Sequence, residues 1–361
     1  MNQALELAGQ GEGRTRPNPA VGAVIVKDGV VVGRGFHPKA GQPHAEIFAL
    51  REAGNRARQA DMYVTLEPCS HHGRTGPCAD AIIEAGLSRV YIGTTDPNPL
   101  VAGAGIRRLR EAGIQVFCGI LENLCQRIIA PFAKHIRTGL PYVVLKSAMT
   151  LDGKTATACG DSQWVSNSVS RLEVHRLRDR IDGIMVGIGT VLRDNPQLTT
   201  RLPEDGRDPE RIVVDSRLRI PEDSAILHLN SAAKTFIATT DQAPTDKIDR
   251  LRAVGVEVLV LPTISGRVDL HALLAMLGKR GFQSILLEGG AELNGAFWRA
   301  GLVDRLMMFV APKIVGGEGK GVFAGVGIAT MAEATVLQDV RVRQFGDDTL
   351  IEGEVKTCSP V

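Results

Sequence analysis

Two apolar runs, Val21-Gly22-Ala23-Val24-Ile25-Val26 and Val30-Val31-Val32-Gly33-Arg34-Gly35-Phe36, flank Lys27-Asp28-Gly29. Asp-Gly between such runs is a strong short-range hairpin signal, so the first sheet should open with an antiparallel pair. From there to Cys118 helical and extended patterns alternate: helix His44 to Ala53, strand Met62 to Leu66, helix Cys78 to Ala85, strand Val90 to Gly93, helix Gly105 to Ala112, strand Ile114 to Cys118. Each helix stops at or near a glycine (Gly54, Gly86, Gly113), the residue that best adopts a left-handed cap. A hairpin followed by βαβ crossovers predicts a mixed sheet with helices on its faces.

A helical stretch from Glu122 to Ile136 ends in Thr138-Gly139-Leu140-Pro141, where Gly and Pro stop helices and mark a boundary. A second α/β pattern follows. It predicts strands at Tyr142 to Ala148, Gly183 to Val186, Arg211 to Val214, Thr235 to Ala238, Glu257 to Leu261, Ser284 to Leu287 and Arg305 to Ala311, with closing strands near Val336 to Val342 and Thr349 to Glu354. Helices fall at Ser168 to Arg180, Thr245 to Ala253, Leu270 to Lys279 and Ala291 to Ala300. The length, 361 residues, suits two domains of ordinary size, divided here into 1–140 and 141–361.

Composition matters mainly for what it excludes. Lys+Arg 42 against Asp+Glu 40 gives no field to hold DNA or an anionic membrane. Neither half is lopsided, with 16 basic and 12 acidic residues up to residue 140 and 26 and 28 beyond it. Phe 10, Tyr 3 and Trp 2 are too few for a platform that stacks single-stranded bases. The first residues, Met1-Asn2-Gln3-Ala4-Leu5-Glu6, lack the basic and apolar regions of a signal peptide, and no apolar run reaches a membrane span. A soluble cytoplasmic protein is expected. Six cysteines in such a chain argue against a disulfide framework and for metal or nucleophile roles where the spacing is telling.

Three fragments have that spacing: His44-Ala45-Glu46 at a helix start, Glu67-Pro68-Cys69 after a strand, and Pro77-Cys78 opening the next helix. One imidazole and two thiolates make a zinc site with an open fourth position, the catalytic pattern. Water held there would have its pKa lowered to about 7, and Glu46 is placed to shuttle its proton. The N-terminus of the helix after Pro77 favours a thiolate at Cys78. The alternative is a structural zinc with a fourth protein ligand, for which His71 and His72 stand close in sequence. The fragments fall at successive strand-to-helix junctions, where open α/β sheets bind ligands.

The arrangement resembles the zinc-dependent nucleobase deaminases, in which a glutamate serves as general acid and base. Their commonest second motif is Pro-Cys-x-x-Cys. Here Ser70-His71-His72-Gly73-Arg74-Thr75-Gly76-Pro77 separates the cysteines. With Asn18-Pro19-Ala20-Val21-Gly22 upstream, the longer loop resembles the deaminase half of the bifunctional riboflavin-biosynthesis deaminase/reductases. The chain enters that resemblance within the family's first helix, which is therefore expected to be short. His71, His72 and Arg74 suit a ribose phosphate beside the metal, and Asn18 suits the pyrimidine edge. A solvated basic loop and an ordinary Asn-Pro turn are the plainer readings.

Beyond Pro141 the resemblance continues through Lys146-Ser147-Ala148-Met149-Thr150-Leu151-Asp152-Gly153-Lys154, Gly160-Asp161-Ser162-Gln163-Trp164-Val165, the stretch from Gly187 to Arg201, Val214-Asp215-Ser216, and Glu288-Gly289-Gly290-Ala291-Glu292-Leu293. It implies a cytidine-deaminase-like three-layer α/β/α domain followed by a dihydrofolate-reductase-like α/β domain that uses NADPH. By the same resemblance Ala148, Trp164, Thr190, Asp194, Ser216 and the stretch Gly290, Ala291, Glu292, Leu293, Asn294, Gly295, Ala296 line the cofactor. Ser162, Arg178, Leu198, Arg201 and Glu288 face the substrate, a small pyrimidine ribose phosphate.

On the residues themselves, Glu288-Gly289-Gly290 ends a strand and opens a helix, which lets backbone N–H groups approach a pyrophosphate but also makes a plain tight connection. No full G-x-G-x-x-G follows the first strand of this half, against a Rossmann domain. Arg178 and Arg201 have the chemistry to grip a phosphate, yet Arg178 shares its helix with Arg171, Arg176 and Arg180, as a solvated face would. Trp164 fits a core or a cofactor wall equally well. Lys146 and Asp152 are candidates for orienting a sugar carbonyl, and Cys118, Cys125, Cys159 and Cys358 read as plain thiols. The resemblance implies hydrolytic deamination of 2,5-diamino-6-ribosylamino-4(3H)-pyrimidinone 5′-phosphate and then NADPH-dependent reduction of its ribosyl chain to ribityl, by a chain with no nucleic-acid or membrane partner and room for homo-oligomers. Against this stand a nucleic-acid base deaminase with an appended nucleotide-binding domain, and a non-catalytic zinc-stapled nucleotide-binding module.

Overall fold

The structure is a computed structural model that describes residues 1–70, 76–99, 101–204 and 206–355. Two compact units divide at Gly139 and Leu140. The first contains α1 (Asn2–Gly11), β1 (Gly22–Lys27), β2 (Val30–Phe36), α2 (Ala45–Ala53), β3 (Asp61–Leu66), α3 (Cys78–Glu84), β4 (Arg89–Thr94), α4 (Ala104–Glu111), β5 (Gln115–Cys118) and α5 (Glu122–Thr138). The expected hairpin is β1–β2, with both turn residues, Asp28 and Gly29, at positive φ as a two-residue loop on twisted strands requires. The sheet runs β2-β1-β3-β4-β5; β1 is antiparallel to β2 and β3, and β3, β4 and β5 are parallel. The mixed sheet inferred from the alternation is therefore present. Its core includes the fully buried Ile25, Met62, Ile82, Ile92 and Leu109, each contributing roughly 1.5–3 kcal/mol by burial.

Glycines set how closely the helices lie on this sheet. A Cβ at Gly33 would fall 2.2 Å from the Ala49 carbonyl oxygen, and one at Gly35 2.2 Å from that of Ala45, so the α2 backbone rests directly on β2. Gly22 plays the same part under α1, 2.0 Å from the Ala4 oxygen.

The second unit contains β6 (Tyr142–Thr150), α6 (Ser168–Arg180), β7 (Gly183–Gly187), α7 (Ile188–Asp194), β8 (Glu210–Val214), β9 (Thr235–Thr239), α8 (Thr245–Ala253), β10 (Glu257–Val260), β11 (Thr263–Ile264), β12 (Arg267–Val268), α9 (Leu270–Lys279), β13 (Ser284–Leu287), α10 (Ala291–Arg299), β14 (Arg305–Ala311), β15 (Leu337–Phe345) and β16 (Asp348–Val355). Nine strands form one sheet in the order β10-β9-β8-β7-β13-β6-β14-β16-β15, parallel as far as β14 and antiparallel through β16 and β15. Strands buried on both faces, such as β13 with all four residues buried, read as continuous apolar runs, which is why they were legible.

Two elements go beyond the expectation. Residues 188–194 form α7, a helix absent from the pattern above, and the left-handed Asn195 at φ 39° caps it. The short hairpin β11–β12 was not anticipated. Seven residues and paired dipeptides are too short to show a period. Among the described residues no helix is long and apolar enough to cross a membrane.

Candidate functional sites

The first site is built where three elements begin or end. His44 is the N-cap of α2, Cys69 follows β3, and Cys78 is the first residue of α3 behind Pro77. Their donor atoms all lie within 4.8 Å of one another. His44 Nδ1 is 3.2 Å from Cys78 Sγ and 3.6 Å from Cys69 Sγ. Around zinc with ordinary Zn–N and Zn–S bonds a tetrahedral edge between nitrogen and sulfur is roughly 3.5 Å, so the donor set fits the ion.

The helix-terminus argument applies to a different sulfur from the one expected. The Cys78 backbone N–H donates to Cys69 Sγ at 3.3 Å. Hydrogen bonds from the Cys78 thiol and N–H and from His44 outweigh burial and pull the Cys69 thiol down to about 4. The Cys78 thiol is pushed up by its bond to Cys69 and by burial. Glu46, in the first turn of α2, is 3% exposed; burial, reinforced by the charge of Cys69 and opposed by His44, raises its carboxyl to about 7. A buried carboxyl beside the donors, ready to hold or release a proton near neutrality, is the group a hydrolytic site requires.

Glu67 holds this geometry in place. Its carboxylate is buried and accepts four backbone N–H groups, from Asp96 at 3.1 Å, Gly103 at 2.9 Å, Gly105 at 3.0 Å and Ile106 at 3.2 Å. A Cβ at Gly105 would lie 2.0 Å from the Pro68 carbonyl oxygen, so α4 closes on the segment carrying Cys69. Asn18 stands one side chain from the donors: its Nδ2 donates to His37 Nε2 at 3.1 Å, and His37 Nδ1 meets the Pro43 carbonyl at 3.0 Å. His37 is thus the neutral Nδ1–H tautomer, its pKa lowered by burial, with its ring edge-on to His44 at 5.3 Å. Sequence reading missed His37, whose signal was only its place directly after β2. His71, His72 and Arg74 lie outside the described residues.

The second site lies at the carboxyl ends of the parallel strands β8, β7 and β13, the usual ligand edge of such sheets. A cavity of about 1130 Å³ there is lined by Ser162, Thr190, Asp194, Ser216, Glu288, Gly290, Ala291, Glu292, Leu293 and Ala296 among others. Its volume is slightly above the usual range of ligand sites. Gly290 is the N-cap of α10, and a Cβ there would meet only Thr190 Oγ1, at 3.9 Å. This leaves a bare backbone cradle at a helix N-terminus, suited to a pyrophosphate.

Other expected residues lie elsewhere. Asn294 is buried and donates to the Val322 carbonyl, and a Cβ on Gly295 would lie 2.0 Å from the Ala324 oxygen; both bind α10 to the chain rather than line the cavity. Trp164 is not in the core: it is 61% exposed, with the Arg171 guanidinium 4.6 Å from its ring centre and its carbonyl accepting from Lys313. Ala148 is half-buried on β6 beside Phe309.

Arg178 turns inward, against the solvated-face reading. It reaches Glu288 Oε2 at 2.6 Å and the Thr199 carbonyl at 3.0 Å, while Lys146 approaches Glu288 Oε1 at 3.8 Å. Burial pushes the Glu288 carboxyl up, but Arg178 and Lys146 outweigh it and hold it below the ordinary value; burial lowers Lys146. Leu198 is left-handed at φ 57° and buried. The Arg201 N–H donates to His175 Nδ1 at 3.2 Å, and burial with Arg178 and Arg201 lowers His175 to about 4.

A deaminase-like domain with a His-Cys-Cys zinc centre, joined to a reductase domain with a glycine-lined cavity, defines a bifunctional deaminase/reductase. The family described as the cytidine and deoxycytidylate deaminase zinc-binding region matches residues 1–94, and the RibD C-terminal domain matches residues 141–351. The chain is 45% identical to the riboflavin biosynthesis protein RibD of Bacillus amyloliquefaciens, covering 96% of this chain and 93% of that one. It is 42% identical to RibD of Escherichia coli, covering 97% of each. The solved structure of Acinetobacter baumannii RibD superposes with a TM-score of 0.85 at 39% identity, covering 98% of this chain and 97% of that one. A diaminohydroxyphosphoribosylaminopyrimidine deaminase/5-amino-6-(5-phosphoribosylamino)uracil reductase from Thermotoga maritima has the same TM-score at 38% identity and the same coverage. The chain belongs to the RibD family of bifunctional riboflavin-biosynthesis enzymes.

Proposed function

We propose that residues 1–140 remove the amine from 2,5-diamino-6-ribosylamino-4(3H)-pyrimidinone 5′-phosphate by hydrolysis, and that residues 141–361 reduce the ribosyl chain of the product to ribityl with NADPH. The observation that carries this reading is the meeting of His44, Cys69 and Cys78 beside the buried Glu46. His44, Cys69 and Cys78 would hold zinc, which supplies Lewis acidity at an open position. Glu46 takes a proton from the attacking water and returns protons to the ring nitrogen and the departing ammonia. Asn18, oriented by His37, hydrogen-bonds the pyrimidine edge, and His71 and Arg74 complete the substrate contacts.

In the second domain the cradle at Gly290 and the side chains of Thr190, Asp194 and Ser216 orient NADPH, which supplies the hydride. Ser162, Arg178, Leu198, Arg201 and Glu288 hold the sugar phosphate. On this reading the protein works in the cytoplasm on a small phosphorylated pyrimidine, needs no nucleic acid or membrane, and accommodates homo-oligomers. Ammonia release and NADPH oxidation measured together on the diaminopyrimidine phosphate test it. Both should appear, with NADPH oxidation dependent on prior deamination; oxidation without ammonia, or neither, would overturn it.

A further inference from the structure

We propose that His175 is a positioning residue of the second site: by accepting the Arg201 backbone N–H it fixes where the Arg201 guanidinium meets the phosphate of the sugar-phosphate substrate. The inference rests on the sugar-phosphate reading of that site.

Residues 198–201 belong to no helix or strand, so no ladder holds their backbone and neighbouring groups must anchor it. Leu198 opens the segment, left-handed at φ 57° and buried. The Thr199 carbonyl accepts from Arg178 Nη1 at 3.0 Å. The Thr200 N–H donates to Asp208 Oδ1 at 2.7 Å, and its Oγ1 donates to the Arg207 carbonyl at 2.8 Å. The Arg201 N–H donates to His175 Nδ1 at 3.2 Å. Each residue thus has its own anchor, and His175 supplies the last one, at the residue whose side chain is offered to substrate.

His175 and Arg178 lie one turn apart in α6 and share a face of it, so a single helix holds both Thr199 and Arg201. Because a backbone N–H can only donate, Nδ1 is the acceptor and the ring proton sits on Nε2. Burial, then the charges of Arg178 and Arg201, lowers the imidazole to about 4 against Glu288 and the Thr199 carbonyl. Nδ1 therefore keeps its lone pair at neutral pH.

The two arginines divide the work. Arg178 is engaged inside the protein, with Nη2 at 2.6 Å from Glu288 Oε2 and Nη1 on Thr199. Arg201 is exposed, and among the described residues its guanidinium has no hydrogen-bond or ion-pair partner, although its charge is near enough to act on His175. It is the group left to take a dianion by bidentate, charge-assisted bonds. Holding its backbone beforehand reduces the ordering that binding would otherwise require. The effect falls on binding rather than on chemistry, because the phosphate is at C5′ of the sugar and hydride goes to C1′.

Steady-state kinetics of the full chain at saturating NADPH, on the deaminated intermediate and on its dephosphorylated form, test the assignment. Arg201→Ala should raise KM roughly 30-fold for the phosphorylated substrate and leave it nearly unchanged for the other. His175→Leu, which removes the acceptor, should raise KM roughly 5-fold for the phosphorylated substrate alone, with kcat held within about 2-fold. His175→Asn should recover most of that loss, because its Oδ1, like Nδ1, is bonded to Cγ and can accept the same N–H. Equal losses on both substrates in His175→Leu, a fall in kcat at constant KM, or an asparagine variant no better than leucine overturns the proposal. If the unmodified chain oxidises NADPH with neither substrate, the reductase reading fails and the proposal with it. If Arg201→Ala shows the phosphate-dependent loss and His175→Leu does not, only the His175 assignment falls.

Discussion

Around His44 the polar groups already meet one another, while around Gly290 several cationic groups face open space. The zinc donors are in mutual contact, Glu46 is buried among them, and Glu67 draws four N–H groups onto the segment before Cys69. The second site is a cavity of about 1130 Å³ whose walls come from strand ends, a helix N-terminus and a small hairpin. A hydrolytic centre needs its reacting groups in place before substrate arrives. A dinucleotide site needs length and a few anchoring charges.

Substitutions should separate these two designs. The largest effects belong to the closed site: Glu46→Gln should keep zinc but lower ammonia release by roughly 10²–10⁴-fold, while His44→Gln should lose the metal as well. Metal analysis beside an ammonia assay distinguishes them, and reduction of supplied deaminated intermediate should persist in both. Next, Glu67→Ala would strip an acceptor from four backbone donors and should destabilise the first domain by roughly 3–5 kcal/mol, visible in thermal unfolding. Glu67→Gln, which keeps one carbonyl acceptor, should cost less.

Arg178→Ala tests a tightly bonded part of the second site. It would take from the buried Glu288 its closest cation and leave it Lys146 at 3.8 Å, lowering stability by about 3 kcal/mol and raising KM for the deaminated intermediate, with zinc content unchanged. The smallest effect concerns pH. Asp152 accepts from Thr150 Oγ1 and from the backbone N–H groups of Val315 and Gly316, chiefly the first of these holding its carboxyl down to about 2. A depressed carboxyl stabilises the native state above its unfolded value and loses that contribution as pH falls through the folded one. Hydrogen exchange at the Gly316 amide should therefore accelerate, relative to its intrinsic rate, between about pH 4 and pH 2. In Asp152→Ala that acceleration should vanish.

The two sites also differed in legibility. The strands and long helices were readable because burial imposes period and apolar runs. The zinc donors were readable because each occupies a strand-to-helix junction marked by Pro or an acidic residue. His37 and the anchoring role of Glu67 were not, since their partners, Asn18 and the residues from Asp96 to Ile106, lie far along the chain. The direction of α10 side chains was also hidden. Ala291, Glu292, Leu293 and Ala296 face the cavity, but Asn294 and Gly295 face Val322 and Ala324, a division that needs the position of a distant segment.

The contact of α2 with Gly33 and Gly35 bears on how this protein tolerates change. Because main chain meets main chain there, the height of His44 and Glu46 above the sheet does not depend on the bulk of intervening side chains. Core residues elsewhere in the domain can drift in size from one descendant to another without lifting the metal ligand from its partners.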